Sequence, residues 1–179
     1  EAEVAEGGTG YGGAPGFTIV GDIVTTTGRF TKSVETLSAD GVWVLSIAKN
    51  TIGLKANGRP LYYIAMVKST SPPAAPDDAS VVHEIYDFQP DGVTFSPPAN
   101  LTIDYDEDDI PDGVAEGNLV VARWDETIGE WVILDTTVDT DENTVTAPVS
   151  HFTNFTILAY TRPAAFTVSE LTVTPDKIN

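Results

Sequence analysis

The sequence predicts an all-β fold: an antiparallel β-sandwich with immunoglobulin-like or related topology. Three observations carry this prediction. From Phe17 onward, short runs rich in Val, Ile, Thr, Tyr and Phe recur along the chain. Residues with a turn mechanism, Gly φ freedom or Asx hydrogen bonding, separate them. No window repeats its apolar residues at helical spacing. With 179 residues and 41% hydrophobic content, the chain can build one principal core.

In chain order, the expected strands begin with FTIVGDIV (17–24), RFTKSVETL (29–37), VWVLSIA (42–48) and LYYIAMVK (61–68). The turn Asn57-Gly58-Arg59-Pro60 precedes the last of these. Ser69 to Ser80, STSPPAAPDDAS, lacks long apolar side chains and is rich in proline, which cannot donate to a ladder. It is expected to cross between sheets or bulge at the surface. VVHEIYDF (81–88), VTF (93–95) and LTIDY (101–105) follow, with Pro90-Asp91-Gly92 as a turn between the first two. Pro111-Asp112-Gly113 separates these from LVVARW (119–124), and a DETIGE turn leads to WVILDT (131–136). Asp139 to Asn143 is the turn before TVTAPV (144–149) and FTILAY (155–160).

The ends differ in character from this body. Residues 1–16 are a Gly-rich tail whose composition builds no core. Residues 17–162 are the expected sandwich. Residues 163–179 form an extension in which Phe166, Val168, Leu171 and Val173 give strand-like spacing after a proline break. A lone strand buries no face and satisfies few of its hydrogen bonds. The extension is therefore expected either to complete a sheet in another copy, as a donor strand, or to open a further domain.

Nine Lys and Arg stand against 27 Asp and Glu, a formal charge of −18. Nucleic-acid phosphates and anionic membranes are repelled by such a surface, so no nucleic-acid partner is expected. The absence of cysteine removes disulfides, thiolate metal sites and a cysteine nucleophile. No apolar run has the length of a membrane span, and no signal sequence opens the chain, so an exported protein would already have lost it.

His151-Phe152-Thr153 is the triplet with the sharpest chemical meaning. A hydroxyl directly after a strained bond, with a base in reach, can attack the preceding carbonyl. Here Thr153 Oγ would attack the Phe152 carbonyl with His151 as base, and an N-to-O acyl shift would leave a hydrolysable ester. The structural alternative makes Phe152, Phe155 and Ile157 packing residues of a late strand and its entry, with His151 a polar edge residue.

VSHFTNFTIL (149–158) resembles the His-Phe-Ser and His-Leu-Thr cleavage segments of two β-sandwich families. One is the module shared by netrin receptors, ankyrins and a death-domain adaptor; the other is the GAIN domain of adhesion receptors. YDFQPDGVTFSPPANLTIDYD (86–106) and NLVVARWDETIGEWVILDTTVD (118–139) look like the body of that module in archaeal and bacterial surface proteins. The similarity runs from about Gly28 to Tyr160. It implies the sandwich fold, a prokaryotic cell-surface setting, and a bond between Phe152 and Thr153 able to cleave itself. In the same proteins, a segment like PAAFTVSELTVTP opens a following immunoglobulin-like adhesion domain.

Two acidic turns offer oxygen ligands for calcium: Asp104, Asp106, Asp108 and Asp109 in one, Asp139 and Asp141 in the other. Neither matches the EF-hand loop, and a solvated acidic turn is the simpler explanation. No other cofactor is expected. Trp43, Trp124 and Trp131, with Tyr62, Tyr63 and Tyr105, offer a sugar-stacking platform as an alternative to core packing; Trp124 and Trp131 also suit a cross-strand hairpin pair. Asn100 and Asn154 begin glycosylation sequons, of which Asn100 is the better placed. GxSxG, P-loop and HExxH motifs are missing from the sequence, and no GxGxxG follows an expected strand and opens a helix, as a Rossmann unit requires.

These features converge on a non-catalytic extracellular or cell-surface structural protein, a subunit of a filament or layer whose partners are copies of itself joined by strand exchange. Two alternatives stand beside it: an autoproteolytic module acting through His151 and Thr153, and an adhesin or carbohydrate-binding domain.

Overall fold

A computed structural model of the chain describes residues 14–161. The Gly-rich segment through residue 13 and the extension from residue 162, with its donor-strand pattern, lie outside the described residues. Thirteen strands follow one another: β1 (Phe17–Ile19), β2 (Val34–Leu37), β3 (Trp43–Ile47), β4 (Ile52–Leu54), β5 (Tyr63–Lys68), β6 (Ala79–Val81), β7 (Tyr86–Gln89), β8 (Thr94–Asp104), β9 (Leu119–Asp125), β10 (Glu130–Ile133), β11 (Thr137–Asp139), β12 (Thr144–His151) and β13 (Asn154–Tyr160). Three single 3₁₀ turns complete the described regular structure.

The strands form two antiparallel sheets packed face to face, a β-sandwich. One sheet has seven strands in the order β1-β5-β7-β13-β9-β10, with β6 also paired to β13. The other has six in the order β11-β12-β8-β3-β2, with β4 also paired to β8. The antiparallel sandwich expected from the sequence is thus the observed fold. Its core follows the two-residue period of extended chain. Trp43, Leu45 and Ile47 point inward from β3, and Leu101 and Ile103 from β8. Ile64, Met66, Phe88, Phe155 and Ile157 meet them from the opposite sheet. Gly53 in β4 leaves room for two core rings: a Cβ there would lie 2.9 Å from the Phe30 ring and 3.1 Å from that of its cross-strand neighbour Phe95.

Several strand bounds differ from the sequence reading. VTF and LTIDY are one strand, β8, because Pro97 and Pro98 fall in a stretch with no ladder partner between the segment paired to β4 and that paired to β3. VVHEIYDF is divided between β6 and β7. FTIVGDIV keeps only three strand residues before a 3₁₀ turn at Gly21–Ile23. The short β4, IGL in sequence, lacks the length that would have marked it as a strand.

The Pro-rich segment 69–78 bulges over the outer side of the seven-stranded sheet. Trp131 Nε1 donates to the Ala74 carbonyl at 2.8 Å, fixing the segment against β10. Beneath this region Ala122, Thr156 and Leu158 are fully buried although their side chains point away from the sandwich core. Among the described residues no helix is long and apolar enough to cross a membrane.

Candidate functional site

β12 belongs to the six-stranded sheet and β13 to the seven-stranded one, so the chain changes sheets through two residues, Phe152 and Thr153. A register shift between Val149 and His151 turns β12 toward this crossing. The Phe152 ring is fully buried, edge-on to Phe88 at 5.5 Å and Phe95 at 5.0 Å between centroids. Those contacts span both layers.

The backbone at the crossing is held on all sides. Phe152 N–H donates to Val93 O at 2.8 Å, and Phe152 O accepts from Gly92 N–H at 3.3 Å. Thr153 O accepts from Phe88 N–H at 3.1 Å. Gly92 closes the Gln89-Pro90-Asp91-Gly92 turn at φ +70, a left-handed conformation that glycine adopts without strain. That turn aims its N–H at the bond the sequence singles out.

His151 and Thr153 share a polar cleft of about 350 Å³ at this end of the sandwich, lined also by Asp91, Arg123, Asp125 and Ser150. Thr153 is only 3% exposed, and its hydroxyl donates to the Trp124 carbonyl at 3.0 Å. The hydroxyl proton is therefore directed to a backbone oxygen, while His151 Nδ1 is buried without a partner. Among the described non-glycine residues, only Asn50 and Asn143 have positive φ, so no left-handed strain falls at Phe152 or Thr153. In the cleft, Arg123 pairs with Asp125 at 3.1 Å. The Thr127 amide, helped by that guanidinium, holds the Asp125 carboxyl below the usual carboxylate range.

The two acidic turns are neighbours. Asn143 Nδ2 donates to Glu107 Oε1 at 3.1 Å, and Tyr105 N–H donates to Asn143 O at 2.9 Å. Asp104, Asp106 and Asp109 line one cleft of about 530 Å³ with Asn143. Their carboxylates are partly committed to the turns themselves: Asp106 Oδ1 accepts from Asp108 N–H, and Asp139 Oδ1 from the Asp141 and Glu142 amides. Among the described residues, no group of three or more His, Asp or Glu side chains is placed to hold a metal ion.

The three tryptophans separate into two environments. Trp43 is completely buried, in contact with Tyr86 and Phe88. Trp124 and Trp131 face each other across the β9–β10 hairpin, centroids 5.5 Å apart and edge-on, and remain half-buried on the outer side of the seven-stranded sheet. Tyr62 is exposed, Tyr63 half-buried and Tyr105 buried. Asn100 is exposed on the outer side of β8, and Asn154 is half-buried at the start of β13.

A further cluster escaped the sequence reading. Asp40, in the β2–β3 turn, accepts hydrogen bonds from the Ser38 and Tyr86 hydroxyls and from Val42 N–H, with His83 Nε2 3.9 Å away. Burial opposes the charge on Asp40, but the Ser38, Tyr86 and Val42 donors outweigh it and keep the carboxyl below its ordinary range. Burial and the same carboxylate raise the Tyr86 phenol well above the usual tyrosine range. Tyr86 lies 46 positions from Asp40, beyond the reach of local patterns. The cluster ties the two sheets at one end.

Among known proteins, the chain matches no family model, and no curated protein matches it.

Proposed function

We propose that the chain is a non-catalytic structural domain of the cell exterior, a subunit of a surface filament or layer in which copies join by donated strands. The observation that carries this reading is the edge of the seven-stranded sheet. Among the described residues nothing pairs with the outer side of β10, where Ile133 is 50% exposed and Ile128 at the hairpin tip 59%. An open edge with apolar side chains is a ready acceptor for another strand. The apolar residues Phe166, Val168, Leu171 and Val173, two, three and two positions apart, give the sequence a candidate donor. Head-to-tail addition of this kind propagates a filament when its rotation does not close a ring.

Electron microscopy and light scattering on the full chain and on a variant lacking residues 163–179 test the proposal. The full chain should give growing assemblies and the shortened chain monomers. Assemblies of the same length from both would overturn the C-terminal donor.

Self-cleavage is the second reading, favoured by the Gly92 N–H on the Phe152 carbonyl and the unpartnered His151 nitrogen above the same cleft. Against it, the Thr153 hydroxyl is committed to the Trp124 carbonyl. Denaturing mass measurement separates the two readings: one intact mass removes cleavage, whereas fragments divided after Phe152 establish it.

A further inference from the structure

The outer side of the seven-stranded sheet carries a row of side chains that the structural role does not use. The pairing register places Val67, Asp87 and Asn154 side by side on β5, β7 and β13, and Trp124 pairs with Trp131 on β9 and β10. Continuing the β13–β9 register by one step sets Asn154 opposite Trp124. One step along the strands, Phe17 and Gln89 flank Ala65, and the Phe17 ring stacks on Tyr63 at 4.9 Å. All of these except Ala65 are half-buried or exposed. Segment 69–78 reaches Trp131 and forms a wall along one side.

We propose that this face binds a neutral oligosaccharide laid across the strands, between the Trp124–Trp131 pair and the Phe17–Tyr63 stack. Sugar rings present an apolar C–H face that packs on aromatic rings and a rim of hydroxyls that both donate and accept. The face offers the same alternation. Aromatic pairs stand at its two ends, and Asp87, Gln89 and Asn154 lie between them. From Tyr63 on β5 to Trp124 on β9 there are three inter-strand steps, about 14 Å, and Tyr63 lies four residues along its strand from the Val67 row, so the diagonal between the aromatic pairs is about 20 Å, which a chain of several sugars spans.

The Gln89 amide donates to Asp87 at 2.7 Å, orienting both groups. The Asn154 side chain makes no hydrogen bond among the described residues; its oxygen is buried, which leaves the amide nitrogen as the group that can meet a ligand. Charge narrows the ligand further. The chain is −18, and Asp87 is the only charged group in the row, so a polyanionic glycan would be repelled while a neutral one is not. A second protein copy fits less well, because a flat protein surface would leave Asp87 and Asn154 to be desolvated without matched partners. This inference concerns the face of the sheet, and it holds whether or not a strand adds at the β10 edge.

Titration of the full chain with oligomers of glucose, mannose, galactose and N-acetylglucosamine, followed by tryptophan emission and amide chemical shifts, tests it. Polygalacturonate serves as the anionic control. At least one neutral oligomer should give a saturable change centred on Trp124 and Trp131, and the anionic control none. Trp131→Ala and Tyr63→Ala should each weaken binding about tenfold, the loss of roughly one ring's packing. Glu35→Ala, on the opposite sheet, should leave it unchanged. Tyr63→Ala keeps the test decisive if Trp131→Ala unfolds, since Tyr63 lies at the half-exposed edge. No response to any neutral oligomer overturns the proposal, as does a response insensitive to Tyr63→Ala. A signal that follows protein concentration instead of sugar would make a second copy the occupant and overturn it equally.

Discussion

The outer faces of the two sheets solve the same problem in opposite ways. On the six-stranded sheet, Ser46, Asn100, Thr102 and Thr146 point to solvent, and the Thr102 and Thr146 hydroxyls meet at 3.1 Å. Short polar side chains dominate that face, with Leu37 and Val44 as apolar members of the Thr102–Thr146 row. On the seven-stranded sheet, Ala122, Thr156 and Leu158 are as buried as the core, the Pro-rich segment lies close by, and aromatic pairs remain at the margins. One face is a surface and the other is a second interior with a rim. The Pro-rich segment, which joins no ladder over 69–78, is tied to the outer side of this sheet through Trp131.

Breaking the covered face should cost most. Leu158→Ala removes a fully buried side chain and is expected to destabilise by about 2–5 kcal/mol, whereas Thr102→Ala on the open face should stay within about 1 kcal/mol. Urea unfolding of both variants measures the difference. Equal costs would mean that the two faces are equivalent. Next in size is the anchor of the covering segment. Trp131→Phe keeps an aromatic ring but loses the Nε1 bond to Ala74 along with the smaller ring of the indole, for about 1 kcal/mol or somewhat more by the same measurement. Combined with Leu158→Ala, its cost should not be additive, because both act on one layer.

The fold was legible where local pattern and tertiary environment agree. FTILAY is apolar without alternation, as expected of a strand covered on both faces, and β13 from Phe155 to Ala159 is buried throughout. In β3, by contrast, Trp43, Leu45 and Ile47 alternate with half-buried neighbours, the sign of one covered face. β4 was missed because three residues carry too little pattern, and β8 was divided because its prolines read as a boundary. At the candidate site, the sequence marked His151, Phe152 and Thr153. The commitment of the Thr153 hydroxyl to Trp124 and the aim of Gly92 N–H depend on chain segments far apart in sequence. The Asp40–Tyr86 tie was invisible for the same reason.

That tie gives a smaller effect with a definite sign. Since the fold holds the Asp40 carboxyl below its ordinary value, its contribution is present above the ordinary carboxylate range and is lost as pH falls through the folded value. Asp40→Asn should therefore lower the thermal midpoint modestly at neutral pH and flatten its decline on the acid side. A parallel decline in both proteins would show that Asp40 is not the titrating group. Smallest of all is the response to calcium. The Asp106 and Asp139 carboxylates already accept backbone amides, so adding calcium or a chelator should leave the unfolding midpoint in place. A rise of several degrees with calcium would instead put an ion between the two acidic turns.

The proposed strand exchange is tested most directly by covalent capture, which a chain without cysteine allows free of background. One variant carries Ile133→Cys at the β10 edge, a second carries Val168→Cys, and a third carries Glu35→Cys on the other sheet. Mixed under mild oxidation, the first two should form a disulfide-linked pair between chains, while Val168→Cys with Glu35→Cys should not. Absence of the first pair, or equal yield from both mixtures, would contradict assembly through a donated strand at β10.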